Sequence, residues 1–160
     1  MTTISDGEIA ALISESKSIP SGLQPLSRPI QRNQYLRKEF EITGAAGSTF
    51  MIFTRQSMIN PFDFSVILGY KVPGFNTIFR LRRYNGKHTH TNTIERERIR
   101  DFHIHKATER YQKIGGMKED SFAEVTDRYT SLESAIECLL DDCGFTPPMQ
   151  ESPLFTGNVQ

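Results

Sequence analysis

The sequence predicts an α+β domain: an antiparallel meander sheet of about five to six strands with an N-terminal and a C-terminal helix packed on it. Three observations predict it. A helix-capping signature opens the chain, a second lies near its end, and between them several segments alternate apolar and polar residues with period two. At 160 residues the chain is long enough to build one hydrophobic core, and residues 1–146 read as that single domain.

The elements follow in order. Ser5 with Glu8 three residues on is a capping box, and Ile9, Leu12 and Ile13 recur at helical spacing, so a short amphipathic helix is expected near residues 6–17. Ile19-Pro20-Ser21-Gly22 ends it, and residues 18–34, interrupted by Pro20, Pro25 and Pro29, read as an irregular connector. Arg37 to Thr43, with Phe40 and Ile42 inward, and Ser48 to Arg55, with Phe50 and Ile52 inward, flank the turn at residues 44–47 as a hairpin. Phe62, Phe64, Val66, Leu68 and Tyr70 form the longest period-two run, which residues 72–76 turn into a strand from Thr77 to Tyr84. Asn85-Gly86 favours the tight type I′ turn of a hairpin. Thr130 with Glu133 is the second capping box; Leu132, Ile136, Leu139, Leu140 and Cys143 make one apolar stripe, and Gly144 is a helix stop. Residues 147–160 are polar with scattered Pro and Gly and read as a frayed tail.

Composition bounds the setting. Cys138 and Cys143 lie within one expected helix, do not form a Cys-x-x-Cys motif and fit its apolar side, so a reducing compartment is expected. No segment has the uninterrupted apolar length of a membrane span and the start of the chain lacks a signal-like stretch, so the chain reads as soluble and cytoplasmic. The formal net charge is zero, yet residues 76–118 hold eleven Lys/Arg against four Asp/Glu, while residues 119–160 hold nine Asp/Glu against one Arg. The basic segment suits an anionic ligand such as a phosphodiester, and its charges are equally consistent with strands neutralised by the acidic end.

All four histidines fall inside that basic segment, in two His-x-His pairs: His88 with His90, and His103 with His105. Residues two apart on a strand share a face, so each pair would aim both imidazoles the same way. Alternation puts Asp101 with His103 and His105 and sends Phe102 and Ile104 to the opposite, core-like face, while Asn92 joins His88 and His90. Two chemistries follow. One is a divalent metal site with His88, His90, His103 and His105 as ligands and a nearby carboxylate. His88, His90 and Glu95 match the core of the first cupin motif, but the glycines around it and the second motif are absent. The other is metal-free phosphodiester chemistry: one imidazole takes a proton from a 2′-hydroxyl, another protonates the leaving oxygen, and a cation stabilises the charged phosphorane. His90, His103, His105 and Asp101 are the catalytic candidates. Arg80, Arg82, Arg83, Lys106 and Arg110 are candidate phosphate clamps, with Asn92 as a further substrate contact and Tyr84 or Tyr111 as a base platform. Neither pair has the hydroxyl residue two positions on that marks the two-histidine phosphoesterases.

The stretch from Arg82 through Tyr84-Asn85-Gly86, His88, His90-Thr91-Asn92 and on to His103-Ile104-His105 resembles an uncharacterised bacterial and phage family. That family is classed as a domain of unknown function and carries an Asn-Gly turn, a His-Thr-Asn and a His-x-His strand. More remotely the stretch is similar to the TumE-type toxins of toxin-antitoxin pairs, although Asn85-Gly86 stands where those toxins have Asp-Asn. The resemblance covers residues 79–106 and implies that His90, Asn92, His103 and His105 carry the site, in a cytosolic protein of a mobile element or a defence system.

The leading expectation is therefore a nucleic-acid-directed hydrolase or phosphodiesterase, RNase-like and of toxin or phage-defence type, acting on RNA with or without a divalent metal. Its protein partner would be an antitoxin or a defence component, and no membrane is involved. A second expectation is a non-catalytic inhibitor of a host defence protein, docking through Asp141 and Asp142 or through Arg82 and Arg83. A third is a metal-dependent small-molecule enzyme with a pocket lined by Phe62, Phe64 and Phe79.

Overall fold

Ser5 caps the first helix: its side chain accepts the Glu8 amide at 3.1 Å, and α1 (Asp6–Ser14) turns Ile9 and Ile13 into the core. The computed structural model describes residues 2–148, so the expected tail beyond them lies outside the described residues. The connector is less irregular than its prolines suggest, because it contains β1 (Lys17–Ser18) and β2 (Ile30–Arg32).

The expected hairpin is β3 (Tyr35–Thr43) and β4 (Thr49–Ser57), with Phe40 opposite Ile52 and Ile42 opposite Phe50, all four buried. β5 (Phe64–Lys71) and β6 (Ile78–Asn85) continue the meander, and Phe62, expected at the start of this strand, stays outside it. The chain then leaves the sheet for a separate ribbon, β7 (His90–Asn92) and β8 (Glu97–Ile99). It returns as β9 (His103–Lys106) beside β6, passes through the short helix α2 (Glu109–Gln112), and adds β10 (Phe122–Val125) at the edge. The resulting antiparallel sheet has seven strands in the order β10-β9-β6-β5-β4-β3-β2, against the five to six expected. The two extra edges are strands of three and four residues, too short to show a period.

α3 (Leu132–Asp142) closes the fold with Leu132, Ala135, Ile136, Cys138, Leu139 and Leu140 buried, and Gly144, at φ 75°, ends it. Its capping box is one residue later than expected: Ser131 and Ser134 exchange hydrogen bonds, because a short hydroxyl at the third helical position reaches back as well as a glutamate does. β11 (Phe145–Thr146) then pairs in parallel with β1. α1 and α3 lie on one face of the sheet, over Phe40, Ile52, Phe64, Val66, Leu68 and Tyr84. The other face is largely open.

Lys17 ties the helical layer together. It is 1 % exposed, and its Nζ donates to the carbonyls of Leu12, Ile13 and Glu15 at the end of α1 and of Cys143 at the end of α3, at 2.7–3.0 Å. Two helix C-termini, each carrying unpaired carbonyls and a partial negative charge, share this one ammonium.

The Asn85-Gly86 turn is a correction. Asn85 ends β6, and the Gly86 and Lys87 amides continue the ladder to Phe64 and Phe62 carbonyls at 2.9 Å. The glycine is needed for close approach, since a Cβ there would sit 1.8 Å from the Phe62 carbonyl oxygen.

Candidate functional site: a four-histidine cluster on the open face

Register places the site. Asn85 opposes His103, and Arg83 opposes His105, across β6 and β9, so these four side chains share the open face while Tyr84 and Ile104 enter the core. The other histidine pair comes from the β7–β8 ribbon folded over that face, His90 in β7 and His88 just before it. The convergence itself is as expected. Ring centroids lie 5.4 Å apart for His88 and His103, 5.8 Å for His90 and His103, 4.5 Å for His90 and His105, and 5.0 Å for His103 and His105.

Asn92 holds the ribbon down. Its amide donates to the Ala123 carbonyl at 2.7 Å and accepts the Ala123 amide at 2.9 Å, which orients the side chain and leaves Oδ1 to accept from His90 Nε2 at 3.0 Å. His90 Nε2 thus carries a proton. In the inner pair the protonated nitrogen is Nδ1: His103 Nδ1 donates to the Asp101 carbonyl at 2.7 Å, and His105 Nδ1 donates to the Asp120 carbonyl at 2.8 Å. Their Nε2 lone pairs are therefore free in the neutral rings.

Burial dominates their ionisation. His103, 0 % exposed, is pushed down to about 4 by burial, with His88, His90 and Arg83 adding repulsion and the Asp101 carbonyl opposing it. His105 is pushed down to about 2 by burial, then by Arg83, His103 and His90. His88, half-buried, is lowered as well, first by burial. The inner imidazoles are neutral at pH 7. His103 Nε2 and, beside it in the register, Asn85 Oδ1 are both buried acceptors with no hydrogen-bond partner.

Two participants escaped the sequence. Asn85 was read as a turn residue. Asp120, fully buried, orients His105 through its carbonyl and faces Arg83 Nε at 3.1 Å and Arg80 Nη2 at 3.4 Å through its carboxylate. It lies in a loop without periodicity, and its only signal was its place in the acidic C-terminal part.

Several expected site residues are elsewhere. Asp101 precedes β9, and its side chain accepts the Phe102 amide at 2.8 Å instead of facing the imidazoles; only its carbonyl reaches the site. Arg82 and Lys106 oppose each other on the helical face, where with Asp101, Ile104 and Asp142 they line a groove of about 560 Å³. Tyr84 is fully buried and donates to Asp142 at 2.6 Å, so it cannot stack a base. Arg110 pairs with Glu95, which also accepts from Tyr111 at 2.7 Å. Arg80 is paired with Glu119 at 2.7 Å, and Asn92 is engaged in the contacts above. Phe64 and Phe79 are core residues, whereas Phe62 is 46 % exposed, so the three line no common pocket.

Among the described residues, no three His, Cys, Asp or Glu side chains are disposed to hold one metal ion. The rings of His90 and His105 stand at 72°, and those of His103 and His105 at 66°. No helix among the described residues is long and apolar enough to cross a membrane. Comparison with known proteins returned no match, whether to a family model, a curated protein or a solved structure.

Proposed function

We propose that the cluster is the acid–base site of an RNase-like phosphodiesterase, with His103 as the base. The observation that carries this reading is the buried, unpartnered Nε2 of His103 beside the unpartnered Oδ1 of Asn85: two acceptors, of which a hydroxyl donor would satisfy the imidazole. A ribose 2′-hydroxyl is such a donor. His103 Nε2 takes its proton, O2′ attacks phosphorus, and the bond from phosphorus to the 5′-oxygen breaks with a proton delivered from the more exposed His88 or His90. The products are a 2′,3′-cyclic phosphate and a 5′-hydroxyl. Arg83, on the same face and held by Asp120, supplies positive charge for the pentacoordinate intermediate.

A base with a pKa near 4 is weak in the free protein. The groups that repel its protonation, His88, His90 and Arg83, are the ones a bound phosphodiester would neutralise, so substrate itself raises the basicity of His103.

The test is cleavage of a mixed-sequence RNA by wild type and His103→Ala, each with and without EDTA. The expected result is cleavage that leaves cyclic phosphate ends, survives EDTA and falls by at least about a hundredfold in the variant. Equal rates in the two proteins sink the assignment, and EDTA-sensitive cleavage transfers the chemistry to a metal.

A further inference from the structure

The open face is not uniform. One cross-strand row runs Arg37, Arg55, Ser65, Asn85, His103 through successive registers of β3, β4, β5, β6 and β9, so these side chains stand on one face in line. Neighbouring strands are about 4.8 Å apart, which makes the row roughly 19 Å long. At its far end Tyr35 shares the same face: the Arg55 guanidinium lies 4.2 Å and the Arg37 guanidinium 5.7 Å from its ring centre. Arg32 opposes Tyr35 on β2. Arg37 and Arg32 are exposed and form no ion pair among the described residues, whereas Arg80, Arg82 and Arg83 near the cluster are all engaged by carboxylates.

We infer that the exposed end of this row, the Tyr35 ring with the Arg32 and Arg37 cations, is a binding track for single-stranded RNA on the sheet face that carries the histidine cluster. The inference deepens the reading above by naming the form of the substrate, and it rests on that reading for its direction toward His103.

Four features favour this occupant. Exposed cations outside any ion pair among the described residues suit a polyanion. Tyr35 is partly exposed, carries the Arg55 guanidinium over its ring and donates to Asp63 at 3.1 Å; the remaining ring surface accepts an unstacked base, which a duplex does not offer. The row is continuous with the site, because Arg55 and its partner Asp63 act electrostatically on His88. Helices cover the opposite face, and on this one Ser65, Asn85 and His103 are buried beneath the ribbon, so the Arg32, Tyr35 and Arg37 end is the part left free for this use.

The experiment is fluorescence anisotropy with an end-labelled octanucleotide fully methylated at its 2′-oxygens, which cannot be cut by attack of O2′. Wild type, Arg32→Ala/Arg37→Ala and Tyr35→Phe or Tyr35→Ala are compared over a salt series, with a dinucleotide and a duplex as competitors. The expected result has several parts. The double arginine variant loses at least tenfold in affinity, and its log K against log salt slope shrinks by about 1.4 for two lost phosphate contacts. Tyr35→Ala loses about fivefold or more, while Tyr35→Phe, which keeps the ring, binds like wild type. The duplex and the dinucleotide compete poorly. Unchanged affinity in the arginine variant, equal competition by the duplex, or no binding by wild type overturns the track. Failure of the two readings is distinguishable. Binding weakened by these substitutions with no RNA cut in the cleavage assay retains the track and removes the nuclease. Cleavage dependent on His103, with octanucleotide affinity indifferent to all three residues, does the reverse.

Discussion

At the scale of the residue, the protein keeps two imidazoles uncharged where most histidines would titrate. His103 and His105, at about 4 and about 2, should show ring proton resonances in NMR that stay constant from pH 8 down to pH 5. Addition of inorganic phosphate should move the His103 midpoint upward, because an anion among His88, His90 and Arg83 relieves their repulsion. A midpoint near the ordinary value without phosphate would remove the burial argument. Asn92 is the second residue of consequence. Asn92→Ala deletes both bonds to Ala123 and the one to His90, and should cost about 2–3 kcal/mol in urea unfolding. The sequence assigned Asn92 to substrate; its neighbours make it the clasp of the ribbon that delivers His88 and His90.

At the scale of the element, what could be read was what repeats. β3 and β4 alternate cleanly because one face packs under helices, and Val66 and Leu68 repeat at the same spacing on β5, so the inward residues Phe40, Ile42, Phe50, Ile52, Val66 and Leu68 were legible before any pairing was known. The pairing of β6 with β9 was not legible. It spans a whole inserted ribbon, and nothing local distinguishes a strand that waits for a distant partner from one that turns back at once. Asn85-Gly86 misled for that reason: the dipeptide favours a tight turn, but its glycine is required by the Phe62 backbone. Gly86→Ala should therefore push β5 and β6 apart at this point and lower stability by at least about 2 kcal/mol, read from the denaturation midpoint. The histidine cluster was legible from composition alone, whereas Asp120 and Asn85 join it through loop geometry and register that no spacing encodes.

At the scale of the whole molecule, the opposed charges of the middle and the end of the chain largely meet each other. Arg82 with Asp142, Arg80 with Glu119, Arg83 with Asp120, and Lys106 with Glu124 join the two segments, so part of the apparent basic patch is neutralised internally. Stability should consequently depend on pH through the buried histidines more than through a surface field. Their folded values lie below the ordinary 6.5, so the unfolded chain binds more protons at mildly acid pH. The contribution is intact above pH 6.5 and is lost progressively as pH falls through the window from 6.5 to about 4, where His103 itself protonates, while His105 goes on losing stability to lower pH. A drop on the order of 2–4 kcal/mol between pH 7 and pH 4.5 is expected in urea titrations, and should be smaller in His105→Gln. An unchanged midpoint over that interval would contradict the burial of both rings.

The Lys17 ammonium, enclosed by four carbonyls from the ends of two helices, also gives the molecule a clock. An amine reagent can reach it only when α1 and α3 have both let go, while exposed lysines such as Lys71 react in the folded state. The rate at which Lys17 alone acquires label, followed by peptide mass spectrometry, would therefore time the opening of the entire helical layer.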